Sequence, residues 1–477
     1  MIHVSSEIGR LNRVIIHSPD SGLGKVVPSK AQDWLFEDIV DLKNIRRQEY
    51  DYFVKTLLYF LDTDKVSGKL AEIDKPENGR AFYKPDDTHY HKSDKVLDMQ
   101  YLLSDILKDK VLKNEIVASI CALERCSFAQ QRLLNELNPI ELAKALISGS
   151  LPDDRMLFAP VPNFIFTRDI GITINDHILL NKPAKEARRR ESFITKYVFY
   201  YHPVFEDSRE KLIEIADDEL FFLLEGAERE HKQVTLEGGD IMMVAPNNLL
   251  IGVSERTTPN AVNKIIDALF KKEVVEKVSV IKIPPKRDFM HIDTVFTQVK
   301  RDTWVLFGKF SKRQLEEKDR LEKMYNKKKK NDEHQTRIMQ FINGKRKPIV
   351  FDYLEDLLDD ISQNDLNAKH PTQFIYSGDD VFPYSQREQW TDSCNLLAIK
   401  EGVVVGYDRN HHTAEAFTKH GFRVIRAAEL LEKFENKELS PETIEDTLIM
   451  LPSAELSRAR GGSHCMSMPI LREKVIS

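Results

Sequence analysis

From about Pro160 onward the chain repeats one pattern: an apolar run, a turn, a second apolar run, an amphipathic helix and a third apolar run. PNFIFTRDIGITINDHILLN reads as strand, turn at Asn175-Asp176 and strand, followed by a helix through 188–200. EGGDIMMVAPNNLLIGVSERTT turns around Pro246-Asn247-Asn248, and its helix starts at Pro259 behind Thr257 or Thr258 before a strand over 278–283. HIDTVFTQVKRDTWVLFGKF turns at 300–302. CNLLAIKEGVVVGYDRN turns at Lys400-Glu401-Gly402 and is completed by a helix over 413–420 and a strand over 422–425. HCMSMPILR supplies a fifth apolar strand, with the N-terminal VIIH strand placed near it. One such unit cannot cover its own apolar faces, so about five copies predict an α/β chain arranged as a closed radial array.

The remainder is built differently. Apolar residues recur at helical spacing from Trp34 to about Leu61, and the leucine-rich stretch 102–148, interrupted only by Pro139, predicts a compact subdomain of short helices. The polar segment 62–94, with Pro76, Gly79 and Pro85, reads as a surface insertion. The charged segment 311–348 breaks the repeat. Its run Lys327-Lys328-Lys329-Lys330 is followed by Asp332 and Glu333, which favours a solvated helical excursion over a nucleic-acid contact. The whole chain agrees: 70 Lys+Arg against 76 Asp+Glu give a net charge of −6, without the basic surplus of a nucleic-acid binder. No apolar stretch reaches membrane-spanning length, and the N-terminus lacks a secretory pattern. Four cysteines (Cys121, Cys126, Cys394, Cys465) match neither a disulfide framework nor a zinc motif, so a cytoplasmic location is expected.

Unusual polar residues fall at matched positions in successive units: Asn163 and Asp169, Glu237 and Asp240, His291 and Asp293, His464 and Cys465. In a radial array these positions converge on one axis. The resulting site holds a thiol, imidazoles and several carboxylates. A thiol beside an imidazole is an activated nucleophile. Carboxylates repel a thiolate, so their presence calls for a cationic substrate, and planar paired hydrogen bonds suit a guanidinium. Attack at a guanidinium carbon follows. Each residue also has a plainer reading. Cys465 could be a small buried hydrophobe, although GGSHCMS suggests a tight turn that leaves its thiol accessible. His291 and Asp293 could satisfy each other, Glu237 could be a turn residue before Gly238-Gly239, and Asp169 could pair with Arg168 at the surface. His89 and His91 read as surface-loop residues, with no third metal ligand in view.

The ordered motifs PNFIFTRD (Pro162–Asp169), LEGGD (Leu236–Asp240), SERT (Ser254–Thr257), MHIDTVFTQV (Met290–Val299), REQWTDSCNLLAIKEGVVVGYDRN (Arg387–Asn410) and RARGGSHCMS (Arg458–Ser467) resemble the arginine deiminase family of guanidine-modifying enzymes. The resemblance implies a five-bladed pseudo-symmetric α/β-propeller of ββαβ units with an inserted helical subdomain. Residues 1–101 would then form the N-terminal part of the propeller with the surface insertion 62–94, residues 102–150 the helical subdomain, and 151–477 the remaining blades with the insertion 311–348. It further implies Cys465 as nucleophile, His291 as general acid/base, Asp169 and Asp293 gripping the guanidinium, and Glu237 orienting it. Arg256, Arg460 and Asn163 would bind the α-carboxylate of free L-arginine, joined by one or more of Arg188, Arg189 and Arg190, with Phe166 on the alkyl stem. The implied reaction yields citrulline and ammonia through a covalent thiouronium, in a homo-oligomer with no metal or organic cofactor. The alternatives are agmatine deiminase, methylarginine hydrolase, amidinotransferase and, from another class, a non-catalytic propeller scaffold.

Overall fold

Two of the hairpins fold back on a residue that accepts a left-handed backbone, Asn175 (φ 52°) and Gly402 (φ 77°). The computed structural model describes residues 2–475 except 35, 37, 76–80 and 318–336. It contains five separate mixed sheets among the described residues. In the first, Gly171–Ile174 runs antiparallel to His177–Leu180, which pairs in parallel with Leu212–Ile213. Ile241–Ala245, Asn248–Val253 and Lys277–Lys282 repeat that order, as do Phe296–Lys300, Thr303–Leu306 and Gln373–Tyr376.

A parallel step requires a crossover, and a helix supplies it in these units. Pro259–Lys271 is representative. Thr258 caps it by accepting from the Ala261 N–H, and Ala261, Val262, Ile265, Ile266 and Leu269 are buried at helical spacing. The fifth sheet takes Met468–Arg472 from the C-terminus and Leu11–Ile16 and Val96–Asp98 from the N-terminus, so both chain ends complete one unit.

The fourth unit departs from expectation. Residues 423–426 do form a strand, but the parallel partner of Val403–Tyr407 is Thr447–Leu451, and Arg423–Arg426 lies outside it at the sheet edge. The inserted strand is almost wholly apolar (TLIML) and fully buried, whereas Arg423 and Arg426 are exposed and suit an edge. The segment 311–348 is also corrected in part. Arg337–Ile342 is a strand antiparallel to Lys277–Lys282, not a helical excursion; the lysine run 327–330 lies outside the described residues. Within 62–94, Tyr83, Tyr90 and His91 are buried, so only His89 of the two histidines is a surface-loop residue. The expected long helix from Trp34 is helical only from Leu42, and its regular α-helix is Asp51–Leu61.

Four helices occupy Met99–Ile106, Lys110–Leu123, Phe128–Glu136 and Pro139–Ser148. Leu102, Ile116, Ile120 and Leu146 from them share one core with Phe164 and Ile170, which fastens the loop carrying Asn163 and Asp169. Short helical turns, Thr167–Ile170, Gly238–Asp240 and Ile292–Thr294, precede the first strands of three units and pack against one another. Among the described residues no helix is long and apolar enough to cross a membrane.

Candidate active site

The turns that lead into successive strands bring the matched polar residues together. Asn163, Phe166, Asp169, Glu237, Arg256, His291, Arg460 and Cys465 line one cavity of about 40 Å3. Asp293 lies behind it, fully buried, with Oδ2 3.4 Å from the Cys465 Sγ that donates to it. A larger cleft of about 660 Å3, lined by Lys182, Arg189, Phe221 and Thr235, contains none of these groups. Size therefore does not locate the chemistry; the convergence of titratable side chains does.

The glycines beside these residues serve close approach. A Cβ on Gly239 would lie 2.5 Å from His291 Nδ1, and one on Gly461 would lie 2.3 Å from Phe166 Cε1. Gly461→Ala is accordingly expected to cost about 1–3 kcal/mol through overpacking. An unchanged urea midpoint in that variant would show that the Phe166 ring yields freely.

The plainer readings of Asp169, Glu237 and the His291–Asp293 pair do not hold, whereas Cys465, expected to be accessible, is 6% exposed and belongs to a core cluster as well as lining the cavity. Asp169 is not a surface partner of Arg168, which pairs instead with Glu7 at 3.3 Å. Asp169 Oδ2 accepts from Arg188 Nη1 at 2.7 Å, and its Oδ1 accepts the Gly239 N–H at 3.1 Å. Glu237, 1% exposed, is within 3.3 Å of Arg188 Nη1 and 3.0 Å of His291 Nε2. His291 and Asp293 do not satisfy each other: His291 pairs with Glu237, and Asp293 Oδ2 with His464 Nδ1 at 2.9 Å.

The three consecutive arginines separate. Arg188 enters the cavity; Arg189 is exposed beside Glu186; Arg190 is buried on Glu124 and over the Phe158 ring. Arg188 Nε also reaches Glu191 at 2.9 Å. Arg256 stands 3.7 Å from Glu237 Oε1, and Arg460 stacks 3.5 Å over Trp390. Asn163 is turned by its donation to the Trp34 carbonyl at 2.8 Å.

Burial opposes the charge of Glu237, but Arg188, the His291 hydrogen bond and Arg256 outweigh it and hold the carboxyl below its usual range. For His291, burial is overcome by the Asp169 charge, the Glu237 hydrogen bond and Asp240, and its pKa rises to about 10. It is an imidazolium at neutral pH. Burial, then Asp293, Asp169 and Asp392, push the Cys465 thiol well above its ordinary range. The protonated thiol is thus the favoured form.

Asp169, Glu237 and His291 also offer ligand atoms within 4.8 Å of one another, close enough for a metal ion. Here those carboxylates hold a guanidinium, and the Glu237 oxygen faces a protonated His291. A divalent cation would have to displace both positive groups.

Sequence reasoning missed Asn395. Its Oδ1 accepts the Cys465 N–H at 3.0 Å and its Nδ2 donates to the Asp293 carbonyl at 3.2 Å, tying Cys465 to Asp293. It sits inside REQWTDSCN, but a neutral amide gives no charge signal there. Glu7 had no signal at all.

A buried thiol, an imidazolium and two carboxylates already holding a guanidinium define an enzyme of the guanidine-modifying class. The model of the family described as arginine deiminase matches residues 128–472. An arginine deiminase of Oenococcus oeni is 32% identical over 487 aligned positions, covering 99% of this chain and 98% of that protein. One of Bacillus cereus is 30% identical over 497, covering 99% of each. The chain belongs to the arginine deiminase family, hydrolases that act on carbon–nitrogen bonds. Among solved structures, an amidinotransferase of saxitoxin biosynthesis from Microseira wollei covers 100% of this chain and 99% of its own, with a TM-score of 0.48 and 11% identity. That likeness is too distant to inform function.

Proposed function

We propose that the protein hydrolyses free L-arginine to L-citrulline and ammonia through a covalent thiouronium on Cys465. The observation that carries this reading is the guanidinium of Arg188, bound by Asp169 and Glu237 in the cavity of Cys465 and His291. These carboxylates are spaced for that ion. Substrate would take its place, since about 40 Å3 leaves room for only a few waters and arginine fits only if Arg188 withdraws. Arg188, Arg256 and Arg460, with Asn163, are then the partners of the α-carboxylate, and Phe166 packs on the alkyl stem. Asp293 Oδ1 has no hydrogen-bond partner among the described residues and is a spare acceptor for a guanidinium N–H.

Bound guanidinium charge offsets Asp293 and Asp169 and lets Cys465 ionise, its proton passing to bulk water. The thiolate attacks the guanidinium carbon; the tetrahedral adduct collapses as His291 gives its proton to the departing ammonia. The neutral imidazole then takes a proton from water, whose oxygen attacks the thiouronium carbon. As the carbon–sulfur bond breaks, the hydroxyl of this second adduct gives its proton to bulk water, so that neutral citrulline leaves and the thiolate is restored, while the proton taken from the attacking water stays on His291. In the same reading the five sheets are blades of a pseudo-symmetric α/β-propeller around this cavity, residues 102–150 are a helical subdomain between the propeller parts 1–101 and 151–477, and the enzyme is a cytoplasmic homo-oligomer.

The test is product release from L-arginine beside agmatine and an Nω-methylated arginine. Citrulline and ammonia from arginine, with agmatine at least about 100-fold slower, is the expected result, because leaving buried arginines without a carboxylate costs several kcal/mol. Comparable turnover of agmatine would overturn the carboxylate roles. Transfer of the amidino group to an amine, rather than to water, would replace hydrolysis by amidinotransfer.

A further inference from the structure

His464 precedes the proposed nucleophile and has no part in the course above, yet it is 2% exposed and both ring nitrogens face carboxylates. Nδ1 lies 2.9 Å from Asp293 Oδ2, and Nε2 lies 3.3 Å from Glu7 Oε2. A carboxylate only accepts, and the 2.9 Å contact makes Asp293 the closer acceptor for a His464 ring N–H, with Glu7 on the opposite side of the ring. The carboxylates are fixed as anions. For Glu7, burial is outweighed by Arg168, His464 and Arg472, and the acid is held below its usual range; for Asp293, burial is outweighed by His464, then His291 and Arg168. Arg168 forks onto Glu7 at 3.3 and 3.5 Å, donates its backbone N–H to the Cys465 carbonyl at 2.9 Å, and reaches the His464 carbonyl with Nε at 3.4 Å. The charged groups around His464 are therefore Glu7 on the N-terminal segment, Arg168 on the turn before the first sheet, Asp293 on the third unit and Arg472 on the last strand, with His291 facing Asp293 from its other side.

The same Asp293 Oδ2 accepts from His464 and from the Cys465 thiol. We propose that His464 is a positioning residue for the nucleophile: wedged between Glu7 and Asp293, it orients the Asp293 carboxylate and offsets its charge against the Cys465 thiol. The inference rests on Cys465 being the nucleophile. Without His464 the carboxylate meets the thiol with its full charge and its oxygen is left to the S–H, and both changes favour the neutral thiol. Binding of a cationic substrate is not impaired by that change; ionisation of the thiol is. The N-terminal segment thus enters the site through Glu7, 457 residues away from His464 along the chain.

The test compares full-length wild type with His464→Asn, which keeps a donor near the Nδ1 position but loses the contact to Glu7, and with Glu7→Gln, which removes the charge behind His464. The pH dependence of Cys465 alkylation by iodoacetamide is read after subtraction of the Cys465→Ala background, together with kcat and KM for arginine. In His464→Asn the thiol titration is expected to move up by about one unit, which is about tenfold less thiolate at a fixed pH. kcat falls by a similar factor and KM stays within about twofold. Glu7→Gln moves the titration in the same direction by a smaller amount. A folded variant of either kind whose alkylation profile matches wild type overturns the proposal, whatever happens to its thermal midpoint, since a purely structural residue would move stability and leave the titration alone. Should wild type release no citrulline while His464→Asn still shifts the titration, the deiminase reading falls and the positioning role stands.

Discussion

Cys465→Ala is expected to lose at least about 10^4-fold in kcat, because no other group can form the carbon–sulfur bond on which the proposed course depends. Cys394, in the neighbouring unit, is fully buried, does not line the cavity, and has its thiol pushed up to about 12, chiefly by burial. Cys465→Ser should be nearly as inactive, since a hydroxyl is far less acidic than a thiol in the same field of carboxylates. Arginine binding, by contrast, should survive the alanine substitution, because Asp169, Glu237, Arg256 and Arg460 are untouched. The backbone N–H at 465 still reaches Asn395. Single-turnover citrulline formation and equilibrium binding of arginine separate the two effects. Retention of more than about 1% of wild-type turnover would remove Cys465 from the role of nucleophile.

His291→Gln is expected to lower kcat by about 10^2–10^4-fold, the range for loss of a positioned acid and base, with a smaller effect on KM. Glutamine can keep a hydrogen bond to Glu237 while carrying no proton to give. The same substitution should change how stability depends on pH. The His291 pKa rises from 6.5 to about 10 on folding, burial being overcome by Asp169, the Glu237 bond and Asp240. Its stabilisation is therefore complete below pH 6.5 and is lost as pH rises through about 10. Wild type should exceed His291→Gln in Tm most clearly on the acid side of that window, and the gap should close towards its alkaline end. Thermal scans between those limits measure it; a gap that widens with pH would mean that His291 is neutral in the folded protein.

Several features are legible in the amino-acid sequence because they are local. Alternating apolar runs and turn residues such as Asn175 and Gly402 specify hairpins one unit at a time, since hairpin register depends on neighbours in sequence. The residue types at the turn ends carry their chemistry with them, which is why a thiol, an imidazole and acids at matched positions already imply a cationic substrate. Pairing over long separations is not legible in this way. An isolated strand signal at 423–426 cannot reveal that the more apolar 447–451 takes the central place, because that choice depends on total burial across the sheet.

The repeating units, their turns and the inventory of reactive groups are properties of the sequence alone, because they follow from side-chain periodicity and intrinsic chemistry. Which of those groups meet is a property of tertiary packing. Of three adjacent arginines the fold selects Arg188, because the turn and first residue of its helix aim that side chain at Asp169 and Glu237 while Arg189 faces solvent. It joins Glu7 to His464 by building one sheet from both chain ends, and it hydrogen-bonds Asp293 to the thiol and His464 while His291 bonds to Glu237. The physical reason is burial. A charge taken out of water must find a partner within hydrogen-bond reach, and which partner is within reach is fixed by how distant segments pack.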